Sequence, residues 1–425
     1  MEIRELVGLD MNYYYEKLSN GLEVFMVPYS NKKNYFMSYA TRYGSDITRF
    51  IPVGKDEEIK VPDGIAHFLE HKMFEQEDGV DPFSYFSKSG TDSNASTSYD
   101  YTQYICCGTK KFEDNLRYLI KFVNSPYYTD DNVEKEKGII TEELKMYEDI
   151  PEYKLDIKLR ENLFHNHPRR IDIGGTVDEI TKITKEDLYT CYNNFYSPNN
   201  MFILLVGNFD KELAMSIIHE ELDDIDNRGD ALISKVEEDK KVRVDYEEIE
   251  ADLNVDKVAF GIKISNSDLG NYNDLELDLY LTMITTLVFG SSSLFREKIR
   301  NEKLATNIYT EWESVDDMHI FYMMGSSEES SRFIEEVKKE LLNIEIDESD
   351  FTRMKKVWIA NEVKMIDDVD STVHNVYDDI IKYKRIIPDK VSVIRNMDFN
   401  KCKEIISKID FNNIAVVKMT GYKKD

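Results

Sequence analysis

The chain has 425 residues, too many for one ordinary hydrophobic core, so two or more domains are expected. Hydrophobic residues make up 41% and aromatics 12%, enough for packed interiors, while 18 glycines and 9 prolines exclude collagen-like or low-complexity composition. A net charge of −28 argues against nucleic acid or an anionic membrane as partner, because phosphate binding needs clustered Lys and Arg.

The opening residues Met1-Glu2-Ile3-Arg4-Glu5-Leu6 have no charged-then-apolar leader pattern. No apolar run is read as approaching the ~20 residues that cross a bilayer. Cys106, Cys107, Cys191 and Cys402 show no C-x-x-C spacing and read as reduced thiols. Together these lead to the expectation of a cytoplasmic protein.

Asn20-Gly21 signals a turn before the alternating strand Leu22–Pro28, and Tyr35–Tyr43 reads as a second strand. A charged loop with Pro52 and Pro62 leads into Gly64-Ile65-Ala66-His67-Phe68-Leu69-Glu70-His71-Lys72-Met73-Phe74. As a helix, this stretch projects His67 and His71 from one face, one turn apart, with Glu70 beside them. Two imidazoles at this spacing can hold one tetrahedral Zn²⁺ if a third side chain joins them, leaving the fourth position for water. Glu70 is then placed to take a proton from that water, and the order His-x-x-Glu-His is the inverted zinc-protease signature. The plain alternative is an amphipathic helix whose histidines merely end a face.

A short helix over Asp81–Phe86 closes at Ser89-Gly90. The small polar run Asn94-Ala95-Ser96-Thr97 then enters the strand Tyr101–Cys107. Small side chains there allow a second backbone to approach, as when a peptide adds to a sheet edge; an ordinary entry to a strand fits the spacing equally. Phe112–Val123 has a helical period, and a further helix runs from about Asp131 to Glu148. On it Glu136 and Glu143 share one stripe, with Glu142 about 100° away. A carboxylate from this helix is the natural third ligand, and helical phase alone does not choose between Glu142 and Glu143. Beyond it come a helix over Glu152–Asn166, a capping box at Thr184/Asp187, the buried strand Met201–Gly207 and a helix over Asp210–Leu222. His165, His167 and His219 stand alone and read as structural or exposed.

The motifs His67-Phe68-Leu69-Glu70-His71, Asn94-Ala95-Ser96-Thr97 and Glu136-Lys137-Gly138-Ile139-Ile140-Thr141-Glu142-Glu143, followed by Ser197-Pro198-Asn199-Asn200-Met201 and Val206-Gly207-Asn208, resemble the pitrilysin family. That family includes insulin-degrading enzyme and the mitochondrial processing peptidases, and the resemblance is to its small bacterial type. It spans roughly Leu22 to Asp210 in order. It implies His67, His71 and Glu143 as ligands of one Zn²⁺ per chain and Glu70 as general base. It also implies Glu136 as a supporting catalytic carboxylate, and the Asn94, Ala95, Ser96 edge as the seat of an extended peptide substrate. The implied fold is α+β: two similar domains, each a mostly antiparallel sheet with helices packed on one face.

Residues 223–245 are charged and poor in apolar groups, which reads as a linker between domains at 1–222 and 246–425. The second half reads as strand, long apolar helix (Asp274–Phe289), short helix (Leu294–Asn301), strands near 307–312 and 319–325, three helices and a last strand at Ala415–Met419. Catalytic relatives carry an Arg and a Tyr seven residues apart here. In this chain Thr306 falls at the Tyr position, Arg300 fits only with a one-residue slip, and Tyr309 lies nearby. The expectation is therefore a zinc endopeptidase that works as a homodimer or heterodimer, a related chain supplying the Arg and Tyr. The rival is a non-catalytic scaffold or binding subunit.

Overall fold

The computed structural model describes residues 1–421. Its strands, in chain order, are β1 (Glu2–Leu6), β2 (Met11–Lys17), β3 (Glu23–Pro28), β4 (Tyr35–Thr41), β5 (Arg49–Ile51), β6 (Ile59–Lys60), β7 (Asp92–Thr97), β8 (Thr102–Gly108), β9 (Met201–Gly207), β10 (Leu232–Ile233), β11 (Tyr246–Ala251), β12 (Asp256–Ser265), β13 (Thr306–Val315), β14 (Met318–Ser327) and β15 (Ile414–Gly421). They form a seven-stranded sheet in the order β1-β2-β3-β9-β4-β8-β7, a small sheet β10-β5-β6, and a five-stranded sheet β11-β15-β12-β14-β13.

The two large sheets share one plan. In the first, β3 runs parallel to β9, and β9-β4-β8-β7 continue antiparallel. In the second, β11 runs parallel to β15, and β15-β12-β14-β13 continue antiparallel. Five strands in the same order and sense, with one parallel pair at the same place, make the two domains similar although no repeated motif is visible in the sequence.

Strands β4 and β9 are buried at every position, which is why they read as continuous apolar runs. Their side chains alternate between two cores. Met37, Tyr39, Ile203 and Leu205 face a cluster with Phe68, Leu69, Leu116, Leu119, Leu188 and Ile217, supplied by helices of the first half. Phe36, Ala40, Phe202, Leu204 and Val206 face the opposite way, against Val369, Val376, Tyr377 and Ile380 of the helix Val369–Tyr383. The second sheet repeats this. Val258, Phe260, Phe321 and Val416 meet Leu277, Leu281, Ile284 and Val288 of the helix Asp274–Phe289. Ala259, Ile320, Tyr322, Ala415 and Val417 meet Leu155, Leu159 and Leu163 of the helix Pro151–Leu163. The expected α+β fold thus holds, and each sheet carries in addition one helix on its second face, because central strands apolar on both sides need two covers.

Compactness divides the chain into two units. One comprises Met1–Leu144, Ile171–Lys235 and Val363–Lys390; the other comprises Lys145–Arg170, Val236–Glu362 and the chain from Val391 onward. The compositional linker 223–245 contains one passage between them. Two others run through the unbroken helices Asp130–Glu148 and Glu348–Met365, where composition leaves no mark. The last four positions of the domain expected at 246–425 lie outside the described residues.

The segment Lys145–Arg170 is fastened within its unit by buried charge. Arg160 Nη1 donates to Glu313 Oε2 at 3.0 Å and to the Tyr322 hydroxyl at 3.1 Å. Glu238 accepts the backbone N–H groups of His165, Asn166 and His167 at 2.8, 2.7 and 2.8 Å, and pairs with the buried Lys263. Gly261 of β12 lets the helix approach: a Cβ there would stand 2.7 Å from Leu163 Cδ1.

The stretch Asp274–Asn301 does meet the length and mean hydropathy (1.3) of a membrane-crossing helix, contrary to the sequence reading. Its apolar residues are nonetheless spent on the second core, and it is two helices interrupted between Phe289 and Leu294. Both helices contribute to that core, the first through Leu277, Leu281, Ile284 and Val288 and the second through Phe295 and Ile299. Leu159 is fully buried against the second sheet, and Leu159→Ala should cost about 2–5 kcal/mol, read as a lowered midpoint of urea unfolding.

Candidate metal centre

The histidine helix, Ile65–Met73, begins at Gly64, whose φ of 87° lies in the left-handed region. A Cβ on Gly64 would stand 2.3 Å from the Gly174 carbonyl oxygen, so the main chains of Gly64 and Gly174-Gly175 are in direct contact there. The helix buries Ile65, Ala66, Phe68, Leu69 and Met73 in the first core. That choice of face leaves His67 and His71 together on the other side, half-buried, with ring centroids 4.6 Å apart.

The glutamate helix, Asp130–Glu148, buries Val133, Glu136, Ile140 and Leu144. Glu143 is half-buried beside Leu144, while Glu142 is exposed. Glu143 Oε2 lies 3.4 Å from His71 Nε2, and Glu143 Oε1 lies 4.0 Å from His67 Nε2. Of the two carboxylates that helical phase left open, Glu143 is the one beside the imidazoles. One ligand atom from each of His67, His71 and Glu143 lies within 4.8 Å of the others, and among the described residues this is the one such group found.

Glu136 stands behind His71: its Oε1 is 3.1 Å from His71 Nδ1. A carboxylate facing Nδ1 assigns the proton to that nitrogen and turns the Nε2 lone pair toward Glu143. Glu70 is 8% exposed and accepts a hydrogen bond from Thr97 Oγ1 at 2.7 Å.

The electrostatics follow from this crowding. Burial, helped by His71, pushes the His67 imidazole down to about 3, so it is neutral at ordinary pH. Burial pulls His71 the same way, but the Glu136 hydrogen bond and the charges of Glu70, Glu136 and Glu143 outweigh it and hold the ring above its ordinary value. Burial pushes the Glu70 carboxyl up, partly opposed by Thr97. Burial acts likewise on Glu136, where His71 and the Lys72 ammonium prevail and leave the carboxyl below its ordinary value.

This donor set suits zinc. Two imidazole nitrogens and one carboxylate oxygen are its usual ligands, and bonds of ~2.0–2.1 Å in a tetrahedron separate ligand atoms by about 3.3 Å. The 3.4 Å gap between His71 Nε2 and Glu143 Oε2 already matches, while His67 Nε2, 4.0 Å from the other oxygen Oε1, must draw closer, the three ligand atoms lying within 4.8 Å of one another. Nε2 is the His67 nitrogen turned to Glu143, and the other, Nδ1, is buried with no hydrogen bond among the described residues.

The other expected site residues fall in two places. Asn94, Ala95 and Ser96 lie on β7, the outermost strand of the first sheet, with Asn94 and Ser96 exposed. Arg300 and Tyr309 belong to the second unit. Arg300 is an exposed residue of the helix Leu294–Asn301, and Tyr309 is 56% exposed on β13, its hydroxyl bound to Glu311. Sequence reasoning missed two residues at the centre. Thr97 was visible in the alternation of β7, where Ala95 and Thr97 turn inward; Lys72 gave no signal, since a lysine in a helix usually reads as solvent-facing.

Comparison with known proteins shows the family. Residues 38–177 match the family model described as "Insulinase (Peptidase family M16)", and residues 182–357 match "Peptidase M16 inactive domain". A protein of Bacillus subtilis (strain 168) named "Uncharacterized zinc protease YmfH" is 41% identical over 297 residues, 69% of each chain. The chain belongs to peptidase family M16. Among solved M16 structures, an M16-like protein of Alicyclobacillus acidocaldarius superposes with a TM-score of 0.90 at 27% identity, covering 98% of this chain and 100% of that one. A protease of Helicobacter pylori shares the fold, with a TM-score of 0.82 at 18% identity over 96% and 99% of the two chains. The resemblance drawn from the motifs to this family of small bacterial proteins therefore holds.

The contact beneath the histidine helix is testable. Gly64→Ala forces a Cβ into the left-handed region, at about 1–2 kcal/mol, and onto the Gly174 carbonyl. The variant should unfold at lower urea than the wild type, its unfolding free energy reduced by at least that amount.

Proposed function

We propose that this chain is a zinc-dependent endopeptidase acting on peptides in extended conformation. The observation that carries the reading is the convergence of His67, His71 and Glu143 from two helices, with the Glu70 carboxylate beside them. His67, His71 and Glu143 would hold the ion. Zinc, when bound, supplies a water acidic enough to react near neutral pH and a Lewis acid for the peptide carbonyl.

The protein's own residues then have defined tasks. Glu70 takes the proton released as water oxygen attacks the peptide carbon, and gives it to the amine nitrogen as the C–N bond breaks. Its raised carboxyl value favours this exchange, since a base of intermediate strength both accepts and returns the proton. Thr97 anchors one Glu70 oxygen, leaving the other to face the reaction. The same strand, β7, offers a free edge to main-chain pairing, and Asn94, Ala95 and Ser96 are small enough to let a peptide lie along it. Pairing through the main chain places little demand on substrate sequence.

A second reading is favoured by one observation: the family model over the second half is described as an inactive domain, and Thr306 stands where catalytic relatives have tyrosine. In that reading the chain needs a related partner that supplies the Arg and Tyr, or serves as a binding subunit without catalysis. We place the protein in the cytoplasm.

Metal analysis and peptide cleavage separate these readings. The purified chain should carry about one zinc, lost on treatment with a chelator and absent from His67→Ala. Glu70→Gln should keep the zinc and lose cleavage by about 10²–10⁴-fold, measured on a peptide library. Retained hydrolysis in Glu70→Gln refutes the base. Zinc without cleavage, restored by adding a related chain, supports the paired form.

A further inference from the structure

Lys72 follows the ligand His71 directly, and its side chain is 0% exposed. Lysine is almost never fully buried unless it is paired. Here the ammonium meets two carboxylates: Glu75, which is 40% exposed, and Glu136 Oε2 at 3.5 Å. Neutralising a buried ammonium needs only one of them. The second contact reaches the carboxylate that stands behind His71.

We propose that Lys72 is a positioning residue of the metal centre, holding the Glu136 carboxylate in the orientation that fixes His71 for the ion. The proposal rests on the zinc reading above and adds a residue which that reading leaves unused. The contacts form one chain of atoms. Lys72 Nζ engages Glu136 Oε2; Glu136 Oε1 faces His71 Nδ1 at 3.1 Å; His71 Nε2 faces Glu143. Engaging one Glu136 oxygen sets the plane of the carboxylate and thereby presents the other to the imidazole. Without the ammonium, Glu136 keeps a single partner and its side chain is free to turn. A ligand ring whose outer partner is lost typically binds its metal 10–100-fold less tightly.

The test uses the full chain loaded with zinc, its affinity measured by competition with a chromogenic chelator. Lys72→Met fills the same volume without the charge and should weaken zinc binding by about 10-fold or more, with an unchanged circular dichroism spectrum. Glu75→Gln should leave the affinity as it is. Lys72→Met made in a Glu136→Gln background should change affinity by less than about threefold, because the contact it removes is already gone. A purely structural lysine predicts the opposite: the same loss in both backgrounds, which would overturn the proposal, as would wild-type affinity in Lys72→Met. Should Lys72→Met fail to fold, Lys72→Gln carries the same cycle and the same outcomes decide. Wild-type protein that takes up no zinc would overturn the underlying reading, and this inference with it.

Discussion

The arrangement depends on like charge brought together. Glu70, Glu136 and Glu143 gather around two imidazoles, with Glu70 and Glu136 each only 8% exposed. Carboxylates out of water repel one another and resist ionising, and such a cluster stands only where cations are interleaved with it. Lys72 is one such cation, and a divalent ion held by His67, His71 and Glu143 would be another. Two helices far apart in sequence must therefore meet at a fixed spacing. The main-chain contact of Gly64 with Gly174-Gly175, which admits no side chain, holds the start of the histidine helix in place.

The duplication of the fold makes the asymmetry between its halves informative. Strand β13 stands in the second sheet where β7 stands in the first, outermost and next to the strand that follows it in sequence. On β7 the inward Thr97 meets a catalytic-type carboxylate. On β13 Glu313 lies on the other face of its sheet, beside Ile320 and the helix Pro151–Leu163, and is bound by Arg160 and Arg169. One edge strand touches the Glu70 carboxylate of the candidate centre; the other fastens a helix.

Much of this was legible in the sequence. The i, i+4 histidines, the seven-residue spacing of Glu136 and Glu143, and the apolar runs of β4 and β9 are local patterns, and local patterns survive in one dimension. What escaped was settled by distant partners. Strands β1 and β2, EIREL and MNYYYEK, lie at the sheet edge, where exposure erases the apolar alternation. Strand β13 runs past Trp312 because Glu313 is neutralised by arginines from residues 160 and 169. The helix Pro151–Leu163 was visible as a helix, but nothing in it said that its apolar face belongs to a sheet more than ninety residues downstream. Leu232 and Ile233, inside the charged stretch, pair with β5 although they read as linker. Lys72 became a functional candidate only through its neighbours.

The order of the strands also governs how the molecule can be made. The parallel partner of β3 is β9, so the first sheet stays open in its middle until residue 207 has been synthesised. The second sheet waits longer, since β15, placed between β11 and β12, ends at Gly421. The cover on the far side of the first sheet comes from Val369–Tyr383. A nascent chain leaving the ribosome thus carries an unfinished apolar surface for most of its length, and neither half can settle before the other is nearly complete. Loop closures of this span are slow and expose strand edges meanwhile. Both sheets are accordingly completed only by elements late in the sequence, β15 between β11 and β12 and the helix Val369–Tyr383 over the first sheet.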